Sequence, residues 1–140
     1  MIVILIRHAE RKASGDDPGL NAAGKRRALL LVTMLVGAGV TAIFTSDARR
    51  TKETAALLAE KLAITARVIG EDTANAKAQI LGGGACVLVV GHSDTVPEFV
   101  TALGGPAGLT IGDDEFDRMF VLGVTPPGPA SLVAMRYVSG

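Results

Sequence analysis

Apolar runs of strand length recur along the chain at residues 2–6, 41–44, 66–69, 86–90 and 120–124, with a sixth at 132–138. The first and fourth are nearly continuous Ile, Val and Leu, the pattern of strands buried on both faces of a parallel sheet covered by helices. Helical segments lie between them. Residues 20–36 open on Asn21 as N-cap and stop before Gly37 and Gly39, while residues 46–62 take their start from Ser46 or Asp47. Residues 74–81 stop at the triplet Gly82, Gly83 and Gly84, and residues 96–103 stop at Gly104, Gly105 and Pro106. The alternation predicts a three-layer α/β/α domain with a mostly parallel central sheet. Residues 125–129, with Pro126, Pro127 and Pro129, are too short for a parallel crossover, so the last two strands are expected to form a C-terminal edge hairpin. No repeat and no linker divides the sequence, and residues 1–140 read as a single domain. The Gly82 to Gly84 triplet precedes a strand and opens no helix, so it is a helix stop and not a phosphate loop.

Composition narrows the classes. With 140 residues, 49% of them hydrophobic, the chain is long enough for one well-buried core. Fourteen Lys and Arg balance fourteen Asp and Glu, so there is no global basic field for nucleic acid. The longest apolar stretch, residues 28–36, contains Thr33 and is about half of a membrane-spanning helix. Residues 1–6 lack a preceding positive region and a small-residue cleavage site, and they lead directly into Arg7, His8 and Glu10. They read as a first strand of a cytoplasmic protein without membrane or nucleic-acid partners. Cys86 is the only cysteine, which leaves no intrachain disulfide, and it reads as a small buried hydrophobe. The sequence assigns no oligomeric state.

The chemistry gathers at strand ends. The two histidines, His8 and His92, each directly follow a buried-strand signature, and in open α/β sheets ligands bind beyond the carboxyl ends of the strands. The strand run at 41–44 leads into a helix start, whose free N–H groups favour an anion. At about 100° per residue, Arg49 shares a solvated face with Glu53, Ala56 and Glu60. Arg50 flanks the apolar stripe of Thr51, Ala55, Leu58 and Leu62 and is the better site candidate. Arg7, Arg50, His8 and His92 on one rim suit a phosphoryl group. One imidazole serves as nucleophile, two guanidiniums clamp oxygens bidentately, and the second imidazole stabilises charge. Two further clusters read as solvated surface: Asp113, Asp114, Glu115 and Asp117 in a glycine-flanked loop, and Lys25, Arg26 and Arg27 on a helix.

These segments carry a resemblance. Arg7-His8-Ala9-Glu10 after an N-terminal strand resembles the RHG/RHA signature of the histidine phosphatase superfamily, the phosphoglycerate mutase-like proteins. Residues 46–55 are similar to its S-P-x-x-R-A-x-Q-T-A segment and align Arg50 with the family's second arginine. Val89-Val90-Gly91-His92-Ser93 resembles its strand and G-H-[GS], and Leu20-Asn21-Ala22-Ala23-Gly24 matches its L-T-x-x-G helix start. The resemblance implies a small member without a substrate cap that hydrolyses a phosphomonoester or phosphohistidine through a phosphohistidine on His8. It also implies that no metal or other cofactor is needed. His8 must then be neutral at its attacking nitrogen, with its other N–H on a carbonyl or similar acceptor, and Arg7, Arg50 and a protonated His92 would bind the phosphate.

The acid that protonates the leaving group is less well marked. Glu71 is the first candidate and Asp94 the second, and a leaving group of low pKa would need less help from either. The rival readings are a non-catalytic phospho-ligand-binding protein on the same scaffold and a metal-dependent hydrolase built on His8, His92 and Asp94. His8-Ala9-Glu10 superficially resembles the H-x-E of zinc deaminases, but the P-C-x-x-C partner is missing.

Overall fold

The computed structural model describes residues 1–138, so the expected single domain over 1–140 includes two residues outside the described ones. Its elements run β1 (Ile2–Arg7), α1 (Ala22–Leu35), β2 (Ala42–Thr45), α2 (Arg49–Leu62), β3 (Arg67–Val68), α3 (Thr73–Leu81), β4 (Cys86–Gly91), α4 (Thr95–Ala102), β5 (Arg118–Gly123) and β6 (Ser131–Arg136). The six strands form one sheet in the order β3-β2-β4-β1-β5-β6. The pairs β1–β4, β2–β4 and β2–β3 are parallel, and β1–β5 and β5–β6 antiparallel. The expected mostly parallel sheet with a C-terminal edge hairpin is therefore present. No helix among the described residues is long and apolar enough to cross a membrane.

Alternation along the central strands builds the layers. Val3, Leu5, Val87 and Val89 face one side and pack with Val96, Phe99 and Val100 of α4 and Ala76 and Ile80 of α3. Ile4, Ile6, Leu88 and Val90 face the other and pack with Leu31 and Leu35 of α1 and Ala55 and Leu58 of α2. Both faces of β1 and β4 are covered, as their unbroken apolar runs required. Two expectations need correction. The run at 66–69 yields only the two-residue exposed edge strand β3. Helix α2 begins at Arg49 after Ala48, not at Ser46 or Asp47, and Ala48 has no side chain to cap it.

Asn21 does cap α1, its side chain accepting the Gly24 N–H at 2.9 Å. The same helix start docks on the loop after β1. The Asn21 N–H donates to the Glu10 carbonyl at 3.1 Å, and a Cβ on Gly24 would stand 2.0 Å from that oxygen. Only glycine allows so close an approach. Arg27 corrects a third reading. It is buried and binds Glu10 through two nitrogens at 2.8 and 3.1 Å, and it donates to the Tyr137 carbonyl at 2.6 Å.

Candidate active site

Three parallel strand ends create the site. Register places Arg7 beside Gly91 and Thr45 beside Val90, so the segments that follow β1, β2 and β4 emerge along one rim. The His8 N–H donates to the Gly91 carbonyl at 2.8 Å and carries the pairing one residue further. Arg7, His8, Arg50 and His92, expected from three separate segments, line one open pocket of about 520 Å³. Arg11, Glu71 and Asp94 border it as well. The two imidazoles meet edge-on, with ring centroids 5.4 Å apart.

His8 is buried, and its Nδ1 lies 2.8 Å from the Ala9 carbonyl. A carbonyl only accepts, so Nδ1 carries the proton and Nε2 keeps its lone pair. Burial pushes the His8 pKa down to about 4; the Ala9 hydrogen bond opposes the shift, and the cations Arg7 and Arg50 reinforce it. A neutral imidazole with a free Nε2 in a cationic pocket is suited to attack on an electrophilic centre of an anion. Thr54 holds this loop on α2. Its hydroxyl accepts the Ala9 N–H at 2.9 Å and donates to the Arg50 carbonyl at 2.7 Å.

Arg7 is anchored by a segment that reads from sequence as solvated surface. Its Nη1 donates to the carbonyls of Gly112, Asp113 and Glu115 at 3.2, 2.8 and 3.0 Å, and its guanidinium carbon lies 4.0 Å from the centre of the Phe116 ring. Nε is buried without a partner among the described residues, and the loop engages Nη1 alone, so Nε and Nη2 keep the pair of donors that the expected bidentate clamp uses. The loop is itself folded by Glu115, whose carboxylate accepts the Gly112 N–H at 2.9 Å and pairs with Arg136 at 3.0 Å. Phe116 also lies 5.9 Å from the His8 ring. Nothing in the spacing of an acidic, glycine-flanked loop marked Phe116. Arg11 did carry a signal, since it follows the first strand within the same basic segment as Arg7.

His92 has a partner at each ring nitrogen. Its Nε2 lies 2.8 Å from Ser46 Oγ, and Arg50 Nη2 stands 3.4 Å from its Nδ1. Burial first, then Arg50, lower its pKa, with Asp94 and Glu71 opposing. A guanidinium can only donate, so His92 is neutral in the unliganded pocket, and the protonated ring expected from sequence belongs to the phosphate-bound site. Arg50 stands at the site, whereas Arg49 pairs with Glu53 on the surface, as the helical-face argument required. One N–H at the start of α2 is already engaged, since Arg49 N–H donates to Asp17 at 3.0 Å. Of the two acid candidates, Asp94 accepts the Thr95 N–H at 2.9 Å as the cap of α4. Glu71 borders the pocket beside His92.

Comparison with known proteins agrees with this fold. The model of a family described as the histidine phosphatase superfamily (branch 1) matches residues 3–74. Among curated proteins, no sequence matches the chain. The fold is similar to that of the protein histidine phosphatase SixA, solved with tungstate, at 21% identity and a TM-score of 0.79 over 97% of each chain. It is similar to the α-ribazole phosphatase of Shigella flexneri at 18% identity and a TM-score of 0.77, covering 97% of this chain and 96% of that one. A mycobacterial glucosyl-3-phosphoglycerate phosphatase solved with VO3 shares 16% identity at a TM-score of 0.78, over 98% and 99% of the two chains.

Proposed function

The chain belongs to the histidine phosphatase superfamily, and on that premise we propose that it is a metal-independent phosphatase. Its substrate is a small phosphomonoester or a phosphohistidine borne on a protein. The observation that carries this reading is the His8 imidazole, kept neutral by burial and fixed by the Ala9 carbonyl as its Nδ1–H tautomer, with Nε2 free among Arg7, Arg50 and His92. In the first step Nε2 attacks phosphorus in line, the bond from phosphorus to the leaving atom breaks, and that atom takes a proton. In the second, water attacks the phosphohistidine, releases inorganic phosphate and restores the neutral imidazole. Arg7 and Arg50 stabilise the charge on the equatorial oxygens in both steps.

Glu71 is the residue we assign to protonate the leaving atom, because Asp94 is engaged in capping α4. The pocket is open, and its width suits a phosphate carried on a larger body as well as a small molecule. The test is phosphate release from an acyl phosphate, an aryl phosphate and a phosphohistidine peptide, with rapid quenching to trap the adduct. An acid-labile phosphoryl group on His8, lost in His8→Ala together with turnover, is the expected result. Binding of phosphate without release or adduct from any of the three would leave a phospho-ligand-binding protein instead.

A further inference from the structure

Ser46 sits in the turn between β2 and α2, and its hydroxyl has three neighbours. Thr51 Oγ1 and His92 Nε2 each lie at 2.8 Å, and the Ala48 N–H is looser at 3.4 Å. Counting protons settles which atom donates. Thr51 Oγ1 stands 3.0 Å from the Ser46 carbonyl and 2.9 Å from the Ala48 carbonyl, and since both only accept, the single Thr51 proton goes to them. The Ser46 hydroxyl therefore donates to Thr51, and with its one proton spent it accepts from His92 Nε2. The other side of the ring gives the same answer independently. Arg50 Nη2 can only donate to His92 Nδ1, which must then carry the lone pair. Any other assignment sets two donors against each other at Arg50 or turns two lone pairs of Thr51 toward carbonyls.

We propose that Ser46, backed by Thr51, is the positioning residue that fixes His92 as its Nε2–H tautomer and so presents Nδ1 to the phosphoryl group. This role deepens the phosphatase reading above and rests on it for its purpose, though not for its geometry. When a phosphate monoanion enters, Arg50 turns its N–H to a phosphoryl oxygen, and Nδ1 takes the proton that the monoanion brings. The products are a phosphate dianion and an imidazolium that donates from Nδ1 to the dianion and from Nε2 to Ser46. Without Ser46 the Nε2–H loses its acceptor, the looser 3.4 Å contact with Arg50 alone is too weak to hold the tautomer, and the cation loses its support.

The experiment is a two-bond proton–nitrogen correlation spectrum of the unliganded protein labelled with 15N-histidine, with His92→Asn assigning the two rings. The expected spectrum shows His92 protonated on Nε2 and His8 on Nδ1. In Ser46→Ala the His92 signals should move to a mixture of tautomers, and kcat should fall roughly tenfold or more, the weight of one hydrogen bond to a charged group, with KM changed less. Ser46→Thr should restore both. A wild-type His92 protonated on Nδ1 overturns the proposal, as does a Ser46→Ala protein that keeps the Nε2–H signature. Because the tautomer is read without turnover, an inactive wild type would overturn the phosphatase reading while the spectrum still decides the role of Ser46.

Discussion

At the scale of single residues, the balance at His8 sets the acid behaviour of the whole site. An unfolded histidine takes a proton near pH 6.5, whereas the buried ring holds out to about 4. The unfolded chain therefore binds the extra proton first. Stability from this residue is complete above pH 6.5 and is lost as the pH falls toward 4, by about 3 kcal/mol in all. Denaturant titrations at pH 4.5 and 7.5 should show that loss in the wild type and a smaller one in His8→Ala. The same shift places the acid limb of kcat/KM near pH 4, and a limb near 6.5 would contradict it. The neighbouring arginines separate cleanly. Arg50→Ala should cost roughly 10²- to 10³-fold in kcat/KM by removing a charge beside the transferring group. Arg49→Ala, which breaks only the exposed pair with Glu53, should leave kcat/KM within about threefold. Equal losses at both would refute the assignment of Arg50.

At the scale of elements, the fit between α1 and the loop after β1 is the tightest joint in the site. Alanine in place of Gly24 would gain about 1 kcal/mol of helix propensity. Its Cβ would stand 2.0 Å from the Glu10 carbonyl oxygen, a backbone atom that can yield only by moving the loop that bears His8. Overpacking of this kind costs about 1–3 kcal/mol, so Gly24→Ala should lower both the melting temperature and kcat. The strands and helices were legible because their apolar periods and glycine stops are local signals, and both histidines could be placed because each follows such a strand. The joints were not legible. Arg27 reads as a solvated helix residue until Glu10 and the Tyr137 carbonyl are brought against it, and the acidic loop at Gly112 to Asp117 reads as surface until its carbonyls close on Arg7. Backbone carbonyls and tertiary neighbours leave no mark on side-chain pattern.

At the scale of the molecule, a chain with no net charge gathers three arginines, Arg7, Arg11 and Arg50, around one pocket. That pocket depends on contacts distant in sequence. β1 is hydrogen-bonded to β4 on one side and to β5 on the other, and Arg7 is anchored to carbonyls 105 to 108 residues away. A partial opening of the β5–β6 hairpin and the loop before it would release Arg7 and leave the β2–β4–β1 core in place. Activity should accordingly disappear at lower urea than the far-ultraviolet circular dichroism signal, and coincident midpoints would show that the hairpin opens only with the core. The three carbonyls on Arg7 also bear on biosynthesis. A growing chain that has passed His92 already holds both imidazoles, yet its first arginine has nothing to lie against until Gly112 to Glu115 follow. For about a second or more of translation the nascent chain holds His8, Arg50 and His92 with Arg7 still unanchored, so the proposed catalysis would wait for residues 112–115.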